Sequence, residues 1–318
     1  MSRNYSLDIL KLSMAFMVVG LHAGFLGDFT LLGEYLAVNG LFRIAVPVFL
    51  IINGFYFYPV LAKGGQRGWL KRVLILYCVW MVFYSYFWFS VPDMSVMGAV
   101  KLVKDVVIGY HHLWYISGML GAAVMLIVLH HFSSKFLLIS VIILFFAGVL
   151  IQYFGNYHYY EQSILDKLFN QHWFHRNAFF LSYPFFCIGY LIHKHSIHER
   201  VTFDVAVFAS ALGLLALFGE AYLNFYQEGR DGGFDNYISL LLVCPSVFIM
   251  FVKSSIPGKG KNIALYSSGV YFIHSFFLSV FGRFSDLKAT SLAIVVILIS
   301  VVASYFIIKI NERIRVLL

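Results

Sequence analysis

Lys11 and His22 stand eleven residues apart in LDILKLSMAFMVVGLH (7–22), a stretch otherwise apolar enough to enter a lipid bilayer. At about 100° per residue, eleven residues make nearly three whole turns. Both side chains therefore project from one helix face, about 16 Å apart along the axis. Asp8 lies three residues before Lys11, within reach of an ion pair. A membrane interface would account for Asp8 and Lys11 alone, because Lys carries its charge out to the head groups on a long stem. That account does not reach His22. It sits well into the apolar run, where ionisable residues face a bundle interior or a watery cavity. An imidazole there is a candidate general base.

Other ionisable residues repeat the pattern. Arg43 opens RIAVPVFLIINGF, and an Arg deep in a membrane costs roughly 2.5–3.5 kcal/mol. Glu220 lies in LFGEAYL, His274 in VYFIHSFF and His112 in HHLWYISGML. Several such residues together imply a polar cavity inside a helix bundle. His111 and His112 make a poor metal pair, because neighbours on a helix point about 100° apart, and no metal is expected. Cys78, Cys187 and Cys244 are far apart, and all fall inside apolar segments; no disulfide or metal motif follows from them.

Composition sets the elements that must position these groups. The chain has 318 residues, 61% hydrophobic and only 12% charged, too few charges to cover a soluble domain of this size. The apolar residues come in runs near the length of a bilayer-spanning helix. We read an all-α, polytopic membrane bundle of about ten helices, near 7–27, 38–60, 70–90, 113–132, 136–154, 176–195, 203–223, 236–252, 263–282 and 289–309. The fourth and eighth read as short. Long runs of Leu, Phe, Ile and Val without turns favour helices over barrel strands, which would alternate in polarity. With the first residues in the cytoplasm, fifteen Lys and Arg fall on that side, Lys259 and Lys261 among them. Seven fall opposite and Arg43 lies within a span, making the 23 of the whole chain. That bias puts both termini in the cytoplasm. It also gives the net charge of +8 a membrane explanation, with no nucleic-acid partner needed. The first run is too long for a cleaved signal and lacks an A-x-A site, so it reads as a retained helix. With no repeat or linker, residues 1–318 read as a single membrane domain.

At this point a family resemblance emerges. LDILKLSMAFMVVGLH resembles the first-helix signature of membrane acyltransferase family 3: an Asp near the cytoplasmic end, then Arg, then His eleven positions later. The match falls on Asp8, Lys11 and His22. RIAVPVFLIINGFYF is similar to the second-helix pattern, GWLKRVLILYCVW to the basic entry of the third helix, HHLWYI to a His-Leu-Trp stretch, and VYFIHSFF to a Tyr-x-x-His stretch. HRNAFFLSYPFFCIGYLIHK, with Arg176, resembles a stretch of polysaccharide O-acetyltransferases. The matches run in family order over nearly the whole chain. Two departures stand out. Lys11 replaces Arg, keeping the charge but losing the bidentate fork. Asn53 replaces the Ser before Gly54.

The resemblance implies acyl transfer across a bacterial inner membrane, from cytoplasmic acetyl-CoA to a hydroxyl of an envelope saccharide, such as a lipid-linked polysaccharide or O-antigen unit. Lys11, Arg67, Lys71 and Arg72 would hold the donor's phosphates. His22 would be the base, with Lys11 and Asp8 beside it on its helix. Direct transfer and an acyl-enzyme are both compatible with these residues. Arg43, Asn53, His112, Trp114, Arg176, Glu220 and His274 are candidates to line the cavity or bind the acceptor. The acceptor is expected to meet the membrane domain directly, at the loops 28–37, 91–112, 155–175 and 224–235. The competing classes are a transporter of a small solute or lipid-linked saccharide, and a binding module without turnover. The paired broken helices of a transporter are not evident.

Overall fold

The computed structural model describes residues 3–90, 95–254, 256–258 and 262–318; Lys259, Lys261 and part of the expected loop 91–112 lie outside the described residues. Helix α1 (Tyr5–Ala23) begins where the Asn4 side chain accepts from the Ser6 backbone N–H. It stops at Gly24, whose φ of 74° is the left-handed cap that glycine adopts without strain. Next come α2 (Leu31–Val38), a tight turn at Leu41–Ile44, α3 (Ala45–Ala62), α4 (Gln66–Phe83), α5 (Ser85–Trp88) and α6 (Val96–Ile108). A turn at His111–Leu113 leads into α7 (Trp114–Leu129), followed by α8 (Ser134–Asn156), α9 (Ile164–Phe169) and α10 (His172–His175). A π-turn over Ala178–Ser182 opens α11 (Tyr183–Lys194). The remainder is α12 (Ile197–Arg200), α13 (Phe203–Tyr226), α14 (Leu240–Ser254), α15 (Asn262–Phe284) and α16 (Ala289–Ile314). Extended pairing is confined, among the described residues, to Arg3–Asn4 against Pro257–Gly258.

The protein is an all-α, multi-pass membrane bundle. Each of the ten expected segments contains one of these helices, but among the described residues seven stretches are both long and apolar enough to cross a bilayer: Tyr5–Ala23, Leu31–Ala62, His111–Leu129, Ser134–Asn156, Phe203–Tyr226, Asn262–Phe284 and Ala289–Ile314. Helix α14 is shorter, at 15 residues, and α4 carries Arg67, Lys71 and Arg72 in its first two turns. The fourth expected span, read as short, is a full 19 residues. The third ends early, because the helix breaks at Tyr84. The expected loop 91–112 contains a helix, α6. Its Val96, Val100, Val103 and Val107 form one exposed apolar stripe at helical spacing, and 13 residues are too few to register as a span.

Helices in lipid gain little from apolar burial against one another, so close backbone approach through small residues matters. Helices α3 and α11 cross in this way. A side chain at Gly54 would collide with the Phe186 carbonyl, and one at Gly189 with the Ile51 carbonyl. The clash is with backbone on both sides, so no side-chain rotation relieves it. Elsewhere α1 packs along α15, and α15 along α16. Gly219, inside α13, faces open space. Gly54→Ala should therefore cost about 1–3 kcal/mol or more by overpacking. Gly219→Ala should be neutral or stabilising by up to about 1 kcal/mol through helix propensity. Melting of the two variants in detergent, side by side, checks both signs.

Candidate functional site

The bundle encloses a cavity of about 550 Å³ whose lining changes character along its length. Lys11, Lys71, Arg72 and Arg315 stand at one end, where Lys71, Arg72 and Arg315 are exposed. Lys11 lies 4.0 Å from Asp8 and 5.7 Å from the ring centre of Tyr56. The deep end is polar and buried. It holds Asn53, Tyr115, Ser267 and Tyr271, and Asn53 Nδ2 donates to Tyr115 Oη (2.9 Å) and to the Phe49 carbonyl (2.9 Å). The residues after α16 close one wall. Arg315, Val316 and Leu318 line the cavity, and Trp80 Nε1 donates to the Leu317 carbonyl at 3.1 Å.

One ring beyond the deep end lies a cluster of four histidines. Tyr271 lines the cavity with its ring and donates through its hydroxyl to the His112 carbonyl at 2.6 Å. His22 lies against His111 (ring centres 4.4 Å apart) and His274 (5.6 Å), and His274 lies 4.8 Å from His112. Ser275 sits among them, its Oγ 2.8 Å from His112 Nδ1, 3.2 Å from His111 Nδ1 and 3.3 Å from His274 Nε2. His111 is held at a φ of +46°, a region sparsely used by residues with a Cβ and often found at functional sites. On its far side the cluster opens on a cavity of about 180 Å³, lined by His22, Tyr110, His111, Ser275, Leu278 and Ser279.

A third, small cavity of about 40 Å³ adjoins His22, lined also by Arg43, Trp114, Arg176 and Asp235. The Asp235 carboxylate accepts from Arg43 and, at 3.3 Å, from Arg176. Arg176 lies 4.8 Å over the Trp114 ring. Arg43 also donates to Asn39 Oδ1 at 2.6 Å. Burial alone would raise the Asp235 carboxyl, but Arg176 and Arg43 overcome it and hold the group well below the usual carboxylate range. His172, His175 and Asp235 bring possible cation ligands within 4.8 Å of one another. Two guanidiniums already share that carboxylate, and their charge opposes a divalent ion there.

The structure thus distributes the residues singled out from the sequence. Lys11, Lys71, Arg72 and Asn53 line the large cavity, so Asn53 faces the basic-mouthed chamber rather than the side of Arg43. His22, His112 and His274 come together in the cluster. Arg43, Trp114 and Arg176 meet at Asp235 and the small cavity. Two residues fall elsewhere. Arg67 is exposed and outside the lining of the large cavity. Glu220 lies in a separate cleft with Tyr153 and Tyr157. Its oxygens accept from the Ile238 N–H (2.9 Å), the Ser239 N–H (3.0 Å) and the Ser239 hydroxyl (2.8 Å), fastening the start of α14 as an acceptor at a helix N-terminus does. Asp235, Ser275 and Arg315 are not among the site residues the sequence singles out, and Tyr271 enters there only as the Tyr of the Tyr-x-x-His stretch. Ser275 had a local signal, as the residue directly after His274.

The family model described as an acyltransferase domain (Acyl_transf_3) matches residues 4–309. Among curated proteins, the chain is similar to the serine/alanine racemase of Enterococcus gallinarum, with 24% identity over 298 residues; the alignment covers 86% of the chain and 41% of that protein's length. No solved structure matches the chain.

Removing the Asp235 charge leaves two partly buried guanidiniums without their shared counter-charge. Asp235→Asn should cost about 3–5 kcal/mol, the range for breaking a buried ion pair from one side. A carboxyl with a lowered folded pKa contributes its stability above the unfolded pKa and loses it only as pH falls through the folded one. The wild-type advantage in melting temperature should therefore persist across about pH 5–8, well above the ordinary Asp range. An advantage confined to the alkaline end would contradict this.

Proposed function

The chain belongs to the membrane acyltransferase 3 family and is an acyltransferase, and we propose that it carries an acetyl group from cytoplasmic acetyl-CoA to a hydroxyl of an envelope saccharide. One observation carries the reading: a single cavity runs from four basic side chains at an exposed mouth to a polar end one aromatic ring from four histidines. Coenzyme A has that polarity. Its phosphates call for Lys and Arg, and its slender arm of amides suits a buried channel that presents Asn53, Tyr115 and Ser267. Lys11, Lys71 and Arg72 would hold the phosphates, joined by Arg315; exposed Arg67 would add to the field at the mouth. Asp8 lies beside Lys11 and would set its position rather than meet the acetyl group.

His22 is the base in this reading. It borders both smaller cavities, so an acceptor hydroxyl arriving from the far side can reach its ring from either of them. Trp114 offers a flat face to a sugar. Arg43 and Arg176 against one Asp235 leave a net positive charge there for an acidic or phosphorylated acceptor, while His112 and His274 shape the wall behind His22. The family and the charge bias of the loops support a bacterial inner membrane with that mouth in the cytoplasm. A lipid-linked polysaccharide or O-antigen unit is the acceptor class that such a membrane would deliver to the opposite side.

Reconstituted vesicles of known orientation test the arrangement. Radiolabelled acetyl-CoA supplied only at the face bearing Lys71 and Arg72 should acetylate a lipid-linked saccharide confined to the other face. His22→Ala should lower the rate roughly 10²–10⁴-fold, the usual worth of a general base, without loss of folded protein. Lys11→Ala should raise the KM for acetyl-CoA, and Lys11→Arg should restore most of it. Transfer only when both substrates share a face rejects the architecture, and wild-type rates in the His22 variant reject its role.

A further inference from the structure

We propose that Ser275 is acylated in the course of the reaction, so that the acyl group crosses the bundle on a serine ester. This rests on the acyltransferase reading of the histidine cluster and adds to it a covalent step and a nucleophile.

The hydrogen-bond pattern assigns the roles. His274 Nδ1 lies 2.7 Å from the Tyr271 carbonyl. A carbonyl only accepts, so Nδ1 carries the hydrogen and neutral His274 presents Nε2 as an acceptor. Nε2 lies 3.3 Å from Ser275 Oγ, which makes the hydroxyl the donor of that pair. A serine, its base and a third group that fixes the base's tautomer form the arrangement that activates a hydroxyl for acyl transfer. The serine oxygen has two lone pairs left. His112 Nδ1 and His111 Nδ1, at 2.8 and 3.2 Å, fill them as donors. A serine needed only for packing on a helix would be satisfied by the carbonyl four residues back. Ser275 engages three imidazoles instead.

Its position fits transit. Ser267, Ser268, Tyr271 and Phe272 of α15 line the donor cavity, and Ser275, Leu278 and Ser279 of the same helix line the far cavity beside His22. The spacing is three to four residues throughout, so one helix face borders both chambers. Ser275 is four residues beyond Tyr271, about 6 Å along the axis.

The step balances. Ser275 Oγ bonds to the thioester carbonyl carbon as the carbon–sulfur bond breaks, and its proton passes to His274 Nε2 and on to the departing thiolate, giving free thiol and acyl-serine. The acceptor oxygen then bonds to the ester carbon, and the bond to Oγ breaks. The acceptor's proton goes to His22, from there to the adjoining His111, and from His111 Nδ1 to Oγ, which restores the serine.

Purified protein is mixed with radiolabelled acetyl-CoA without acceptor and quenched in acid. Free thiol, protein-bound label and its attachment site by mass spectrometry are read together, and glucose at high concentration then serves as a simple alcohol acceptor. Close to one acetyl group per protein should appear on Ser275, matched by one equivalent of thiol, and should leave when glucose is added. Ser275→Ala should take no label and lose roughly 10²-fold or more in transfer. Ser275→Cys keeps a nucleophile and should take label as a thioester that hydroxylamine releases, which separates lost chemistry from lost folding. Label on His22 instead, or wild-type transfer by folded Ser275→Ala, overturns the serine step and leaves the acyltransferase reading standing. If the wild type yields neither thiol nor acetylated product from acetyl-CoA, that reading falls, and this step with it.

Discussion

A buried carboxylate must be paired, and much of the polar end of this bundle is arranged by that requirement. Asp235 is 7% exposed. It draws Arg43 from the turn before α3 and Arg176 from the approach to α11 onto one group, while Gln152 of α8 accepts from the Asp235 and Asn236 backbone N–H groups at 2.7 and 2.9 Å. Four segments distant in sequence are thereby held together beside His22. Leaving any of these charges unpartnered would cost several kcal/mol, so the contact defines the geometry of the far side of the site as well as its charge. Arg176 in turn carries Trp114, and with it the turn just before α7 that bears His111 and His112.

The opposite end obeys a different constraint. There Lys71, Arg72 and Arg315 are exposed, and half-buried Lys11 lies against Asp8. Lys11 and Tyr56, and the segment after α16, frame the mouth without burying the charges. Exposed cations are cheap to hold and remain available to an anion from solvent. The bundle thus separates two kinds of charge: paired and fixed near the histidines, and turned toward solvent at the mouth.

What could be read from the sequence follows from how local each relation is. Lys11 and His22 share a helix, so their common face follows from the 3.6-residue period alone; Lys11 lines the large cavity and His22 the one on the far side of the histidine cluster. The all-helical membrane character follows from run length. Relations between segments do not follow. Glu220 in an apolar run has the signature of a cavity residue, yet the partners that satisfy it, Ile238 and Ser239, are backbone and hydroxyl groups of another helix start. Asp235 lies outside every apolar run and so carries no mark of burial. Helix α6 carries its Val stripe on only 13 residues, a length at which an amphipathic helix leaves no run long enough to mark it as a span.

Tyr271 decides how the two chambers communicate. It lines the large cavity, and its ring centre lies 5.3 Å from that of His112 and 6.1 Å from that of His274, so this side chain stands between the large cavity and the histidines. The same residue fixes the cluster twice, by its hydroxyl to the His112 carbonyl and by its own carbonyl to His274 Nδ1. The polar atoms of Tyr271 are thus committed to the histidines behind it, while its ring is an apolar surface. Movement of this side chain would open a path between the chambers and loosen His112 together, whereas His274 is held by backbone and would stay in place. The imidazole beside Ser275 is therefore tied to the rigid helix, and the element that can yield between the chambers is the side chain alone.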